Sequence, residues 1–291
     1  MKIEKVLVVG CGTMGGQIAM QTALCSYQVC AYDLKPEVVQ WAKAYSDKWF
    51  AGRVAKGRLT EEQARQAQKR LNFTTDLPQA AHEADLVIEA VPDVAKIKRA
   101  VLSQVDQYVP ERAIYGSNSS YLVSSVFADA VRHPEHVANF HFFNPALVME
   151  LVEVVQGPHT APETVDILMD FARSIRKSPV LVKKEIYGFV VNRIFSGITK
   201  EACYLYDQGV ASLEDIDTAV KKGLGHPMGP FELLDMTGID LEYNVLMERF
   251  RNTQNPADRP AAVLVEHYAR GEYGRKTNKG FYEYDEGGKR K

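Results

Sequence analysis

His141 closes the run Val137-Ala138-Asn139-Phe140-His141, and Glu153 follows twelve residues later inside Leu151-Val152-Glu153-Val154-Val155. Asn144-Pro145 lies between the runs as a turn signal. If the two runs pair as a hairpin centred on Leu147, His141 and Glu153 stand opposite each other. A carboxylate beside an imidazole holds one tautomer and stabilises the protonated ring. That pairing suits removal of a hydroxyl proton while a hydride leaves the same carbon. Spacing alone also admits a plain strand-end histidine and a solvated glutamate. Ser117-Asn118-Ser119-Ser120 ends an earlier β-rich run. Its hydroxyls either point at a ligand or cap the next helix, and the pattern leaves both readings open.

A second chemistry is written near the start. Gly10-Cys11-Gly12-Thr13-Met14-Gly15 follows the apolar run Val6-Leu7-Val8-Val9 and opens a helical stretch. The first glycine permits a tight turn, the second lets backbone approach a pyrophosphate, and the third lets helix and strand pack closely. The helix N-terminus adds free N–H groups and partial positive charge. Asp33, 18 residues beyond Gly15, ends Val29-Cys30-Ala31-Tyr32, where a carboxylate accepts hydrogen bonds from an adenosine ribose. Such a carboxylate repels a 2′-phosphate and favours NAD, while Lys35 keeps NADP in play. Cys11 reads as a small filler in the turn.

Elements must hold these groups in place. Strands are expected at 3–9, 28–33, 72–75, 85–90, 112–117, 137–142, 149–155 and 179–183. Several are nearly continuous apolar runs, as in strands covered on both faces. Helical stretches separate most of them, which predicts an α/β fold with a doubly wound, mostly parallel, Rossmann-type sheet. The stretch 36–71 holds two helices rather than one, broken at Gly57, with Thr60 and Gln63 as a capping box. On residue pattern alone this helical hairpin is a surface appendage. After about residue 184 the sequence becomes all-α, with helices expected at 188–208, 212–222, 238–251 and 258–270. No strand is expected there before Phe281-Tyr282. The domains are therefore read as 1–184 and 185–291, with the boundary near Lys183–Ile186.

The chain has 291 residues, 46% of them hydrophobic and 25% charged, with net charge −2. That balance suits a soluble globular protein and not one built to hold nucleic acid. No apolar run is long enough for a membrane span, and no signal peptide is evident. The four cysteines have neither zinc-site nor disulfide-framework spacing, so no metal is expected and a reduced, cytoplasmic setting is.

Taken together, these segments resemble the L-3-hydroxyacyl-CoA dehydrogenase family, above all its stand-alone bacterial 3-hydroxybutyryl-CoA dehydrogenases. The resemblance rests on Leu86-Val87-Ile88-Glu89-Ala90, the serine run, His141-Phe142-Phe143-Asn144-Pro145, Leu151 to Val155, Gly188-Phe189-Val190-Val191-Asn192-Arg193, and Gly225-His226-Pro227-Met228-Gly229-Pro230-Phe231-Glu232-Leu233. Gly274-Arg275-Lys276-Thr277 and Lys279-Gly280-Phe281-Tyr282 complete it, so it spans essentially the whole chain.

The resemblance implies NAD-dependent oxidation of a 3-hydroxyacyl-CoA, or the reverse reduction. His141 is then the base or acid, oriented by Glu153, while Ser120 and Asn192 hold the 3-oxygen and the thioester region. Asp93, Lys98, Ser120, Asn144 and Lys276 join Gly10, Gly12, Thr13, Met14, Gly15 and Asp33 as cofactor contacts. Relatives usually carry glutamate at the position of Asp93. The hairpin becomes the CoA grip, with Arg53 and Lys56 on the nucleotide phosphates. The C-terminal domain closes the cleft and forms a homodimer interface. Tyr121, Leu147 and Glu150 depart from the family pattern, which bears on acyl chain length. Two rivals stand beside this reading: a hydroxyacid or sugar-acid dehydrogenase acting on a free carboxylate, and a non-catalytic, crystallin-like or cofactor-binding protein.

Overall fold

The computed structural model describes the chain apart from the side chains of residues 252 and 253. It divides into two units, Met1–Val190 and Val191–Lys291.

The first unit begins β1 (Lys5–Val9), α1 (Thr13–Leu24), β2 (Gln28–Tyr32), α2 (Pro36–Ala55), α3 (Glu61–Arg70) and β3 (Leu71–Thr74). It continues α4 (Leu77–Ala81), β4 (Leu86–Glu89), α5 (Ala95–Asp106), β5 (Ile114–Ser117) and β6 (Val137–Phe142). β7 (Leu151–Val155), α6 (Pro162–Ser174) and β8 (Ser178–Val182) complete it. The strands form one sheet in the order β3-β2-β1-β4-β5-β6-β7-β8, matching each expected strand to within two residues at either end. Every pairing is parallel except β6 with β7.

Alternation along the strands builds the core on both faces. Val6, Val8, Leu86, Ile88, Ala138 and Phe140 join α1 and α6 on one side. Leu7, Val9, Val87, Tyr115 and Val137 join α4 and α5 on the other. Each such valine, leucine, isoleucine or phenylalanine side chain contributes about 1.5–3 kcal/mol by leaving water. The strand order reverses direction between β1 and β4, so the crevice beyond their carboxyl ends is where a ligand belongs.

The expected hairpin is present as α2 and α3. Gly57, at φ 63°, makes the turn. Thr60 Oγ1 accepts the Gln63 N–H at 3.1 Å, and Gln63 Oε1 accepts the Thr60 N–H at 2.9 Å. The hairpin is no loose appendage, because Phe50, Ala64 and Ala67 pack with Met20 of α1 and with Leu147.

The second unit holds α7 (Val191–Asp207), α8 (Leu213–Gly223), α9 (Pro230–Thr237), α10 (Ile239–Thr253) and α11 (Ala262–Ala269). Two buried aspartates knit it. Asp217 accepts the Phe231 N–H at 2.9 Å, the Glu232 N–H at 3.1 Å and the Tyr282 hydroxyl at 2.7 Å. Asp235 accepts the Phe281 and Tyr282 N–H groups and the Tyr284 hydroxyl, each at 2.9 Å.

The sequence expectations need three corrections. The expected helix 258–270 starts only at Ala262, since Arg259 precedes Pro260 and adopts extended backbone. Phe281-Tyr282 forms no strand; residues 279, 283, 284 and 290 make isolated bridges. The first unit extends to Val190, and α7 begins at Val191 rather than 188. Gly188 (φ 75°) and Phe189 (φ 48°) cannot be helical, and Phe189 is buried against Val123, Val155 and Val182.

Candidate active site

The antiparallel ladder sets His141 directly across from Glu153. His141 is 3% exposed and Glu153 1%. His141 Nδ1 lies 2.9 Å from Glu153 Oε2. A carboxylate can only accept, so Nδ1 carries the proton and Nε2 is left as the basic nitrogen. Glu153 Oε1 is occupied by the Val190 N–H at 3.0 Å. The rings of Phe143 and Phe189 stand 4.5 Å and 5.5 Å from the imidazole, giving it an apolar surround. This is the geometry expected from the hairpin centred on Leu147.

Ser120 lies just beyond β5, in a loop clamped by carboxylates. Asp93 accepts the Ser119 hydroxyl and the N–H groups of Ser120 and Tyr121 at 3.2 and 3.3 Å. Glu89, 1% exposed, accepts the Ser117 hydroxyl at 2.5 Å and the Val91 N–H at 2.7 Å. Lys98, also 1% exposed, donates to both Glu89 oxygens at 2.9 and 2.8 Å and lies 3.5 Å from Asp93. The Lys98 ammonium is thus enclosed by acidic partners, a buried network whose members depend on one another. Asn139 braces the same loop, accepting the Ser124 N–H at 2.8 Å and donating to the Leu122 carbonyl at 2.9 Å. Asn118 Oδ1 accepts the Phe142 N–H at 2.9 Å and ties the loop to the strand carrying His141.

The glycine turn fits a dinucleotide. A Cβ on Gly10 (φ 97°) would stand 2.7 Å from the Ala90 carbonyl oxygen, and one on Gly15 would strike the Gly10 carbonyl at 1.8 Å. One on Gly12 would meet nothing within 4 Å. The outer two glycines are therefore demanded by packing, and the middle one faces the open space that a pyrophosphate needs. α1 has no acidic residue in its first turn to offset its N-terminal charge. Asp33 accepts the Cys11 N–H at 2.9 Å and the Lys35 N–H at 3.0 Å, which fixes its carboxylate beside the glycine turn. Cys11 is wholly buried, and burial pushes its thiol up to about 12, as befits a filler.

The other candidates are dispersed. Asn144 is exposed just past β6. Arg53 sits in the last turn of α2 with its guanidinium 4.8 Å from the Trp49 ring centroid, and Lys56 caps that helix. Asn192 and Lys276 belong to the second unit. Asn192 opens α7, and the Lys276 ammonium pairs with Asp240. Of the three departures, Leu147 packs on the hairpin, Tyr121 is half-buried and Glu150 is exposed. Lys177 carried no sequence signal, yet it is buried, and its ammonium donates to the carbonyls of Ala146 and Met149 at 2.6 and 2.8 Å. It thereby holds the loop that separates His141 from Glu153.

Sheet order and glycine turn define the class, a Rossmann-type dinucleotide-binding protein. Residues 5–186 match the family model for the NAD binding domain of 3-hydroxyacyl-CoA dehydrogenase, and residues 188–284 match that for its C-terminal domain. A 3-hydroxybutyryl-CoA dehydrogenase of Clostridioides difficile is 36% identical, over 97% of this chain and 99% of its own. The human mitochondrial hydroxyacyl-coenzyme A dehydrogenase is 36% identical over 97% and 91% respectively. The crystal structure of an (S)-3-hydroxybutyryl-CoA dehydrogenase from Ralstonia eutropha has TM-score 0.92 at 34% identity, covering 98% of this chain and 100% of that one. The chain belongs to the 3-hydroxyacyl-CoA dehydrogenase family.

Proposed function

We propose that this protein interconverts short-chain L-3-hydroxyacyl-CoA and 3-oxoacyl-CoA esters, with His141 and Glu153 as its acid–base pair. The observation that carries the reading is the buried 2.9 Å contact between His141 Nδ1 and Glu153 Oε2. It leaves Nε2 free of the carboxylate to take the 3-hydroxyl proton, or to return it in the reductive direction. Glu153 holds the tautomer and provides the countercharge when the ring becomes cationic. Ser120 and Asn192 hold the 3-oxygen and the thioester region, and Arg53 and Lys56 hold the phosphates of CoA. NAD, when bound, supplies the hydride acceptor. Gly10, Gly12, Thr13, Met14, Gly15 and Asp33 would cradle it, with contacts from Asp93, Lys98, Ser120, Asn144 and Lys276. Two copies associate through Val191–Lys291, a unit that exposes Ile194, Tyr204, Val210, Leu224 and Leu241. Among the described residues no helix is long and apolar enough to cross a membrane.

The test is an initial-rate panel of acetoacetyl-CoA and longer 3-oxoacyl-CoA esters with NADH and NADPH. The highest kcat/KM is expected for acetoacetyl-CoA with NADH. Turnover of free 3-oxo acids at a comparable kcat/KM would refute the CoA assignment.

A further inference from the structure

Two of the ties between the segment Lys183–Val190 and the body of the first unit bear on the acid–base pair. At one, Glu185 Oε1 accepts the Ser124 hydroxyl at 2.8 Å and the Ser125 N–H at 2.9 Å. The seat for that carboxylate is built into the fold. Ser124 is fully buried, and a Cβ on Gly157 would stand 2.9 Å from Glu185 Oε1 and 2.4 Å from the His159 ring. His159 Nε2 lies 3.5 Å from Ser124 Oγ, and burial lowers its affinity for a proton. At the other tie, the buried Phe189 ring stands 5.5 Å from that of His141, and the Val190 N–H donates to Glu153 Oε1. Between the ties the backbone is left-handed at Gly188 and Phe189. Glycine accepts this freely, but phenylalanine resists it and keeps it only when neighbouring contacts impose it. Such a segment relaxes when a tie is cut.

We propose that Glu185 is a positioning residue for the acid–base pair. By fastening Lys183–Val190 to Ser124 and Ser125, it keeps the Val190 N–H on Glu153 Oε1 and so turns Oε2 towards His141 Nδ1. The proposal rests on the reading of His141 and Glu153 given above.

The experiment compares Glu185→Ala and Glu185→Gln in the full-length protein, with acetoacetyl-CoA and NADH, across pH. Glu185→Ala is expected to lower kcat about tenfold, since small misplacements of catalytic groups are costly. Both KM values should stay within about twofold, because the binding residues are untouched, and the pH limb of kcat should move. Glu185→Gln is expected to recover most of the loss, because an amide oxygen accepts from the same two donors. In a Glu153→Gln background, Glu185→Ala should add less than about twofold, the sign of two residues acting through one another. A folded Glu185→Ala protein with wild-type kcat and pH limb overturns the proposal, as does an undiminished effect in the Glu153→Gln background. If Glu185→Ala does not fold, Ser124→Ala removes one donor and must shift kcat and the pH limb in the same direction. Wild-type turnover in His141→Ala would sink the acid–base reading itself. A large loss in His141→Ala beside an unaffected Glu185→Ala sinks only the tie.

Discussion

His141 is fixed by the Glu153 carboxylate on one ring nitrogen and by the tilted rings of Phe143 and Phe189 beside it. These contacts make two roles separable by mutation. His141→Ala and His141→Gln are both expected to lower turnover about 10²–10⁴-fold, the usual worth of a positioned general acid or base. They should differ in stability. Alanine leaves the buried Glu153 without its imidazole partner, a loss of about 1.5–3 kcal/mol for a hydrogen bond to a charged group. The retained Val190 N–H argues for the low end of that range. Glutamine keeps a donor within reach and should melt close to wild type. Thermal unfolding beside steady-state kinetics checks both. A glutamine variant with more than half of wild-type turnover would remove His141 from the chemistry.

The hairpin of α2 and α3 is the element whose meaning changes most between pattern and structure. If it grips CoA, Arg53→Ala with Lys56→Ala should raise the KM for acetoacetyl-CoA and leave kcat nearly unchanged, because these charges bind ground and transition states alike. Each lost contact is worth roughly 1.5–3 kcal/mol, and salt should bring the effect to the low end. An N-acetylcysteamine thioester, lacking the nucleotide, should not distinguish mutant from wild type. Equal sensitivity of both substrates would make the hairpin merely structural. Elements of this kind were legible in the sequence wherever periodicity and turn chemistry are local. The strands announced themselves as apolar runs, and the hairpin cap as Thr60 with Gln63. The His141–Glu153 pairing was legible because the two runs lie symmetrically about Leu147. What escaped was long-range. Lys98 was expected as a cofactor contact, but nothing in the sequence pairs it with Glu89, and both are buried. Glu185 finds Ser124 sixty-one positions away, and Lys177 reaches back to Ala146 and Met149. No composition or period encodes such partners, which depend on how crossovers fold back on the sheet.

For the whole molecule, the testable quantity is assembly. A dimer through the second unit should give a solution mass twice the 32.6 kDa of the chain, read by light scattering at micromolar concentration. A monomer mass retained up to about 100 μM, well above the Kd of a stable dimer interface, would reject this interface. Because β6 and β7 are the lone antiparallel neighbours, the meeting of His141 and Glu153 is written into ladder register and not into the loop that joins the strands. Side-chain direction repeats every two residues within the strands, whereas residues 143–150 lie outside that constraint. Substitutions in that loop can therefore reshape what approaches the imidazole while the pair itself stays in register. Directed evolution of acyl preference has its natural target there, and a single-residue insertion inside either strand would be the corresponding lethal change.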